Sequence, residues 1–165
     1  MNKLLVAVAT ILTLFTISCE DIYTLMWNNA SDDVRRSFPI EVQAYSCGMT
    51  EAEFEYLARV VEAESDRTDN LDGKILIAAV VLNRVNSSSF PNTIDGVLNE
   101  SGQFSTTNGG WCSECYTISS RWAIVEAQRQ LASGDIPDNL LYFNCIGYNY
   151  GTAYGYVDGN YFMCA

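Results

Sequence analysis

The sequence of 165 residues contains no histidine. This absence excludes a Ser-His-Asp triad and a Cys-His pair, because both rely on an imidazole as the general base. It also argues against the histidine-containing zinc sites of many amidases and peptidases. Carboxyl groups remain available as acid–base catalysts, which is the chemistry typical of glycoside cleavage.

Basic residues are scarce. Nine Lys and Arg stand against twenty Asp and Glu, which gives a formal net charge of −11. A chain this acidic repels nucleic acid and anionic membranes, so neither is expected as a partner. The sequence also shows no motif for a cofactor or for a stable protein partner, and we predict neither.

The chain has no apolar run long enough to cross a bilayer comfortably. The run from Leu4 to Ile17 follows Lys3 and is broken only by three threonines. Its length and its basic start match the core of a signal peptide. We predict that residues 1–18 are removed and that the product is secreted or held in the cell envelope. Cys19 would then be the first residue and a candidate for lipid attachment, although Thr16 stands where such signals usually have Leu.

Six cysteines follow the predicted start of the mature chain: Cys19, Cys47, Cys112, Cys115, Cys145 and Cys164. Behind a signal peptide, disulfides are the expected state, and the sequence does not fix their pairing. Two alternatives remain open. One is a four-thiolate zinc site formed by the last four cysteines, and the other is a redox pair at Cys112 and Cys115.

The stretch from Thr50 to Val85 carries the strongest pattern. Thr50 and Glu53 form a capping box that predicts a helix start. An apolar stripe at helical spacing follows, formed by Phe54, Leu57, Ala58 and Val61. The spacing places Glu62 on the solvent side. Glu64 lies on the edge of the stripe, where partial desolvation favours the protonated carboxyl that a general acid needs. A helix-end Glu that reaches solvent fits the same spacing.

An apolar run from Ile75 to Leu82 comes next, and its periodicity fits a buried strand or a buried helix equally well. Asn83 and Arg84 end the run. They are candidates to anchor loops near a site, or to cap a helix and pair with acids. A loop rich in Ser, Thr, Asn and Gly then contains Gln103 and Phe104, which suit contact with a sugar; the alternative is that Phe104 fills the core.

The C-terminal third predicts one helix and a small amount of strand. Ser119 or Ser120 can cap a helix that Gly134 ends. Leu140 to Phe143 is predicted as a strand, and the Tyr- and Gly-rich segment from Gly147 to Gly159 as ordered loop and strand edge. Its tyrosines are candidates to line a groove: Tyr148, Tyr150, Tyr154 and Tyr156.

Several of these stretches resemble the SleB-type cell wall hydrolase domain, in the same order along the chain. The similar stretches are Leu57 to Ser65, Gly73 to Val85, Ser89 to Ile94, Gly102 to Ser105, Leu141 to Phe143 and Gly159 to Phe162. The resemblance covers roughly residues 50–163. It implies a mainly helical α+β domain with a lysozyme-like, lytic-transglycosylase-like fold. It also implies that Ile75 to Leu82 is a central buried helix.

The resemblance assigns the site as well. Glu64, in the pair Ala63-Glu64, corresponds to the family's catalytic acid. The expected substrate-binding residues are Gln103, Phe104, Ser105, Tyr142, Phe143, Asn160 and Tyr161. Tyr161 departs from the family, which commonly has His at this position. No second catalytic carboxylate is evident.

The function predicted from this resemblance is cleavage of the glycan strand of peptidoglycan by a secreted lytic transglycosylase with a single Glu acid. Three alternatives are an N-acetylmuramoyl-L-alanine amidase, a hydrolytic muramidase and a non-catalytic, disulfide-stapled wall-binding protein. The predicted organisation is a signal peptide over 1–18, an N-terminal extension or linker over 19–46 and the hydrolase domain over 47–165.

Overall fold

The computed structural model describes residues 18–65, 70–104 and 116–165. The apolar run of the predicted signal peptide, Ser105, Cys112 and Cys115 lie outside these ranges. The helices are α1 Cys19–Asn29, α2 Asp32–Arg36, α3 Ile40–Ser46, α4 Glu51–Glu64, α5 Leu71–Asn86, α6 Ile94–Leu98 and α7 Ile118–Ser133. The strands are β1 Leu140–Asn144, β2 Thr152–Val157 and β3 Asn160–Cys164. None of the described helices has the length and apolar character needed to cross a membrane.

Helix α4 begins and ends as its sequence predicts. The Thr50 hydroxyl accepts a hydrogen bond from the Glu53 N–H at 3.3 Å, and the Glu53 carboxylate accepts one from the Thr50 N–H at 3.0 Å. This capping box satisfies N–H groups that the first helical turn leaves without partners. The apolar stripe is fully buried. Glu64 is the last helical residue, and Ser65 turns the chain into an extended conformation.

Helix α5 lies at the centre of the domain. It contains the apolar run from Ile75 to Leu82, which is therefore a buried helix and not a buried strand. The Asn70 side chain caps it by accepting hydrogen bonds from the N–H groups of Asp72 and Gly73. Every residue from Gly73 to Arg84 is buried. Helices α4 and α7 and strand β1 pack around it. A helix enclosed by its neighbours has no polar face, which explains why its periodicity could not identify it.

Helix α7 packs against α5 and α4. Its N-cap is Thr117, whose hydroxyl accepts from the Ser120 N–H at 3.2 Å, and not Ser119 or Ser120 as the sequence predicted. The predicted stop is confirmed. Gly134 ends the helix at a φ of 79°, a left-handed conformation that glycine adopts without a Cβ clash.

The three strands form an antiparallel sheet in the order β1-β3-β2. Phe162 pairs with Phe143 and lies fully buried on the inner face of the sheet. Tyr161 pairs with Tyr156 and therefore lies on the outer face. Asp158, at a φ of 51°, and Gly159, at 81°, form the tight turn between β2 and β3. Asp-Gly with both φ angles positive is the preferred sequence of such a hairpin turn.

The segment predicted as an N-terminal extension or linker forms helices α1 to α3, which pack on the domain. Arg121 of α7 holds it by donating to the Phe38 carbonyl at 2.6 Å and to the Gln43 side-chain oxygen at 2.9 Å. Gln43 is fully buried. The guanidinium of Arg36 also lies over the Trp122 ring, 4.9 Å from its centre.

The described residues include four cysteines, and no disulfide joins them to one another in this structure: Cys19, Cys47, Cys145 and Cys164. Asn144 pairs with Tyr161, three residues or about 10 Å along β3 from Cys164. Cys145 adjoins Asn144, so Cys145 and Cys164 are too far apart for a disulfide, which needs Cα atoms within about 7 Å. The same separation argues against one zinc ion bound by both residues. Other pairings, including those with Cys112 and Cys115, stay predictions.

Candidate active site

Glu64 lies half-buried at the end of α4. The turn between β2 and β3 packs against the first turn of α5: a Cβ atom at Gly73 would lie only 2.7 Å from the Asp158 Cβ. Glycine is therefore needed for this close approach. The contact fixes the candidate substrate residues Asn160 and Tyr161, which follow the turn directly, beside the start of the central helix.

The helical spacing predicted that Glu62 faces solvent, and this prediction is wrong. The Oε2 atom of Glu62 accepts hydrogen bonds from Lys74 Nζ at 3.2 Å, from the Thr117 N–H at 3.1 Å and from Thr117 Oγ1 at 2.7 Å. Ser120 Oγ donates to the same atom. The partners lie on α5 and at the start of α7, so periodicity within α4 could not reveal them. Lys74, embedded in an apolar stretch, was the available signal, because a buried ammonium needs a counter-ion.

The hydrogen bonds determine the protonation state of Glu62. Burial on its own raises the pKa of this carboxyl, but the donors from Ser120, Thr117 and Lys74 outweigh it and bring the pKa to about 2. Glu62 is therefore ionised at neutral pH and cannot serve as a general acid. It instead joins the end of α4 to the starts of α5 and α7, two residues before Glu64.

The structure moves Phe104 from the predicted substrate site into the core. Its side chain is fully buried, with its ring 6.1 Å from that of Phe143. Phe143 packs in turn on Phe162, so it too faces the core. The ring of Phe104 is therefore not available to stack on a sugar, and that of Phe143 is partly buried against the core. Gln103, by contrast, is exposed, and Ser105 lies outside the described residues.

Asn83 and Arg84 anchor the region of strand β1 through hydrogen bonds to backbone carbonyls. Asn83 Nδ2 donates to the carbonyls of Pro137 at 2.9 Å and Leu140 at 3.1 Å. Arg84 Nε donates to the Leu141 carbonyl at 2.8 Å. The guanidinium also lies near three rings, at 4.8 Å from Phe90, 5.4 Å from Phe104 and 6.0 Å from Tyr142. Such cation–π contacts depend on tertiary packing and were not predicted.

Burial lowers the pKa of Arg84, and the neighbouring Glu100 and Tyr142 oppose that effect. An arginine nonetheless stays charged in proteins. Arg84 therefore acts as a buried cation that holds the Phe90 loop, the Phe104 loop and β1 together. Tyr142, a candidate substrate residue, is positioned by this contact.

Tyrosines cover the outer face of the sheet. We define the tyrosine face as Tyr142, Tyr148, Tyr150, Tyr156 and Tyr161. Ring contacts link its members: Tyr142 stacks on Tyr150 with centres 5.3 Å apart, and Tyr161 lies 5.0 Å from Tyr148 and 4.6 Å from Tyr156. Tyr161, where the resemblance implied His in the family, therefore lies among other tyrosines.

A cavity of about 560 Å³ lies elsewhere, where the C-terminal ends of α5 and α7 meet. Asn86, Ser87, Gln128 and Asn139 are among its lining residues. Helix α5 has 16 residues and is therefore about 24 Å long. The cavity thus lies at the far end of α5 from Gly73 and Asp158, and we do not assign it to the site around Glu64.

Solved structures of similar fold define the class of the domain. The catalytic domain of the germination-specific lytic transglycosylase SleB from Bacillus anthracis matches with a TM-score of 0.58 and 27% identity, over 72% of this chain and 98% of that one. The catalytic domain of the Bacillus cereus SleB protein matches with a TM-score of 0.58 and 25% identity, over 70% and 91%. The predicted mainly helical α+β, lysozyme-like fold is confirmed.

The family follows from the sequence. The model of the cell wall hydrolase family matches residues 68–150, about half of the chain, and this protein belongs to that family. Spore cortex-lytic enzymes are similar in sequence: the one from Bacillus cereus is 32% identical over 96 residues, and the one from Bacillus subtilis 31%. The matches cover 58% of this chain and 36% and 30% of those relatives. The chain thus spans about a third of the curated relatives it matches. The predicted SleB-type family is confirmed.

Proposed function

We propose that this protein cleaves the glycan strand of peptidoglycan as a lytic transglycosylase, with Glu64 as the general acid. The observation that carries the proposal is the contrast between two neighbouring carboxyls. Glu62 is ionised and bound by Lys74, Thr117 and Ser120, whereas Glu64 ends α4 half-buried, and the sequence resemblance assigns it the role of the family's acid. Family membership and the SleB structures support the reaction class.

A single carboxyl is sufficient for this reaction. Glu64 donates its proton to the glycosidic oxygen as the bond from that oxygen to the anomeric carbon breaks. A hydroxyl of the same sugar then attacks the anomeric carbon and returns its proton to Glu64, which closes an anhydro ring. A hydrolytic muramidase would instead use a second carboxylate. Glu62, two residues before Glu64, is already engaged in hydrogen bonds and is not free to act as that second carboxylate.

We further propose that the protein acts outside the cytoplasm. The basic start and apolar run of residues 1–18 support export, and the exposure of Cys19 at the start of α1 leaves it accessible for lipid attachment. Disulfide formation after export belongs to the same proposal.

The proposal is tested by digesting purified peptidoglycan and analysing the fragments by mass spectrometry. We expect anhydro-sugar ends from the wild type and at least a roughly 10²-fold loss of rate in Glu64→Gln, which cannot donate a proton. Glu51→Gln, in the exposed first turn of the same helix, is the matched control and should retain activity. Reducing ends would indicate a muramidase, released peptides an amidase, and no fragments a wall-binding protein.

A further inference from the structure

The tyrosine face is built on a fixed scaffold. Tyr142 pairs with Met163 across β1 and β3, and Tyr156 pairs with Tyr161 across β2 and β3. Side chains of paired residues point to the same side of a sheet, and Met163 and Tyr161 are two residues apart on one strand. All four therefore share the outer face, opposite the buried Phe162.

The loop between β1 and β2 adds the two remaining rings. The Asn144 side chain orders this loop by accepting hydrogen bonds from the N–H groups of Ile146 at 2.8 Å and Gly147 at 3.0 Å. The Tyr150 N–H lies 3.4 Å from the sulfur of Met163, whose side chain is fully buried. The loop is thus folded down onto the sheet at Met163.

The rings remain open to solvent although they contact one another. Tyr148 is 49% exposed, Tyr150 57% and Tyr156 58%. Folded proteins rarely leave a cluster of large aromatic side chains exposed without a use for it. Aromatic rings carry much of the energy of binding surfaces because each brings a large area at a small cost in conformational entropy.

The chemistry of the surface limits what it can bind. All five side chains are uncharged, while the chain as a whole carries a net charge of −11. A charged group on a partner therefore gains no ion pair from this surface. A sugar ring suits it: the C–H groups of one ring face stack on a phenol ring, and the phenol hydroxyls form hydrogen bonds with sugar hydroxyls or acetamido groups.

We propose that the tyrosine face is a glycan-binding surface, on which the N-acetylated sugars of the strand bind beyond the point of cleavage. The proposal rests on the proposed function, since Tyr142 and Tyr161 belong both to this face and to the candidate substrate residues. Tyr148, Tyr150 and Tyr156 extend that site over the sheet. They bind the strand without contributing to the chemistry at Glu64.

The test measures binding of the full chain to the soluble hexamer of β-1,4-linked N-acetylglucosamine by titration calorimetry, with Glu64→Gln introduced to prevent turnover. Tyr148→Ala and Tyr156→Ala should each weaken binding by at least about fivefold, the loss that marks a contributing contact residue. Tyr156→Trp should bind the hexamer about as well as the protein with Tyr156, because the larger ring also stacks on a sugar. Tyr45→Ala, which removes a 39% exposed tyrosine from α3, is the matched control and should bind as before.

Two further measurements separate this surface from other uses. Binding should change little from low to high salt, because no ion pair forms; a steep loss with salt would contradict the proposal. Without sugar, the protein should not self-associate through this face. Sedimentation of the wild type and of Tyr156→Ala should therefore show the same state of association. If only the wild type associated, the face would join two copies of the chain and the proposal would be wrong. Circular dichroism verifies that every variant is folded.

The outcomes also distinguish this proposal from that of the enzymatic function. If the wild type cleaves peptidoglycan and both tyrosine variants bind the hexamer unchanged, the enzyme stands and the glycan-binding surface is wrong. If the wild type yields no fragments but hexamer binding depends on Tyr148 and Tyr156, the surface stands and the enzymatic proposal is wrong.

Discussion

Glu62 shows that a charged residue in a helical pattern can have its role fixed by distant partners. Its carboxylate is bound by Lys74, Thr117 and Ser120, and its side chain is 25% exposed while that of Lys74 is 1% exposed. Removing one member of a buried ion pair leaves the other charge poorly compensated. We therefore assign Glu62 a structural role in the framework that holds Glu64.

Glu62→Gln should lower the free energy of unfolding at neutral pH by about 3 kcal/mol, because the neutral amide no longer offsets the charge of the buried Lys74 ammonium. The folded pKa of about 2 lies below the reference of about 4.3 for an unfolded Glu. The stabilisation by Glu62 is therefore present above pH 4.3 and is lost as the pH falls towards 2. Across this pH range, the free energy of unfolding measured in urea should fall more steeply with decreasing pH for the wild type than for Glu62→Gln. Equal slopes would contradict the assignment, and Glu51→Gln is the control.

At the scale of secondary structure, the contact between α5 and the β2–β3 turn links the two halves of the site. Gly73→Ala places a Cβ where Asp158 already lies, and overpacking of this kind costs about 1–3 kcal/mol. We expect a lower melting temperature and reduced cleavage, because Asn160 and Tyr161 move with the turn.

The double variant Gly73→Ala/Asp158→Gly supplies the control for this prediction. It removes the opposing Cβ and keeps a residue that tolerates the positive φ of the turn. It should recover most of the lost stability, so that the two substitutions are coupled in a double-mutant cycle. Strictly additive effects would show that the close approach does not limit the position of the turn.

The elements themselves were largely predictable from local sequence. The capping box at Thr50, the glycine stop at Gly134 and the strand at Leu140 all rest on residues near to one another in the chain. Helix α5 was not predictable from its own residues, because burial on all sides removes the periodicity; the family resemblance identified it. A core position for Phe104 was one of two alternatives that the sequence left open, and the family resemblance pointed to the substrate site instead. An aromatic residue in a polar loop carries no local mark that decides between them.

The members of the tyrosine face could not be predicted from the alternation of residues along each strand alone. Leu141 and Tyr154 are extra residues at irregularities in the pairing of β1 and β2 with β3. Each irregularity shifts the alternation of faces along its strand. The sequence therefore indicated a groove lined by tyrosines, but not which of them share a surface.

At the scale of the whole molecule, the thiols differ in reactivity according to their place in the fold. Cys19 and Cys145 are exposed, whereas burial raises the pKa of Cys47 to about 12. In the native, reduced protein without lipid attached, a maleimide reagent should label Cys19 and Cys145 well before Cys47, because the thiolate is the reactive form. Peptide mass spectrometry over time measures the order. Labelling of Cys47 as fast as that of Cys145 would contradict the burial of α3 against the domain.

The turn at Asp158 and Gly159 also affects the order in which the strands pair during folding. It joins strands that are adjacent along the chain, and its residues favour the required backbone angles, so the β2–β3 hairpin can form in about 1–10 μs. Strand β1 pairs with β3 only after a longer loop has closed, which is slower. We expect the hairpin to form before the aromatic core closes behind it.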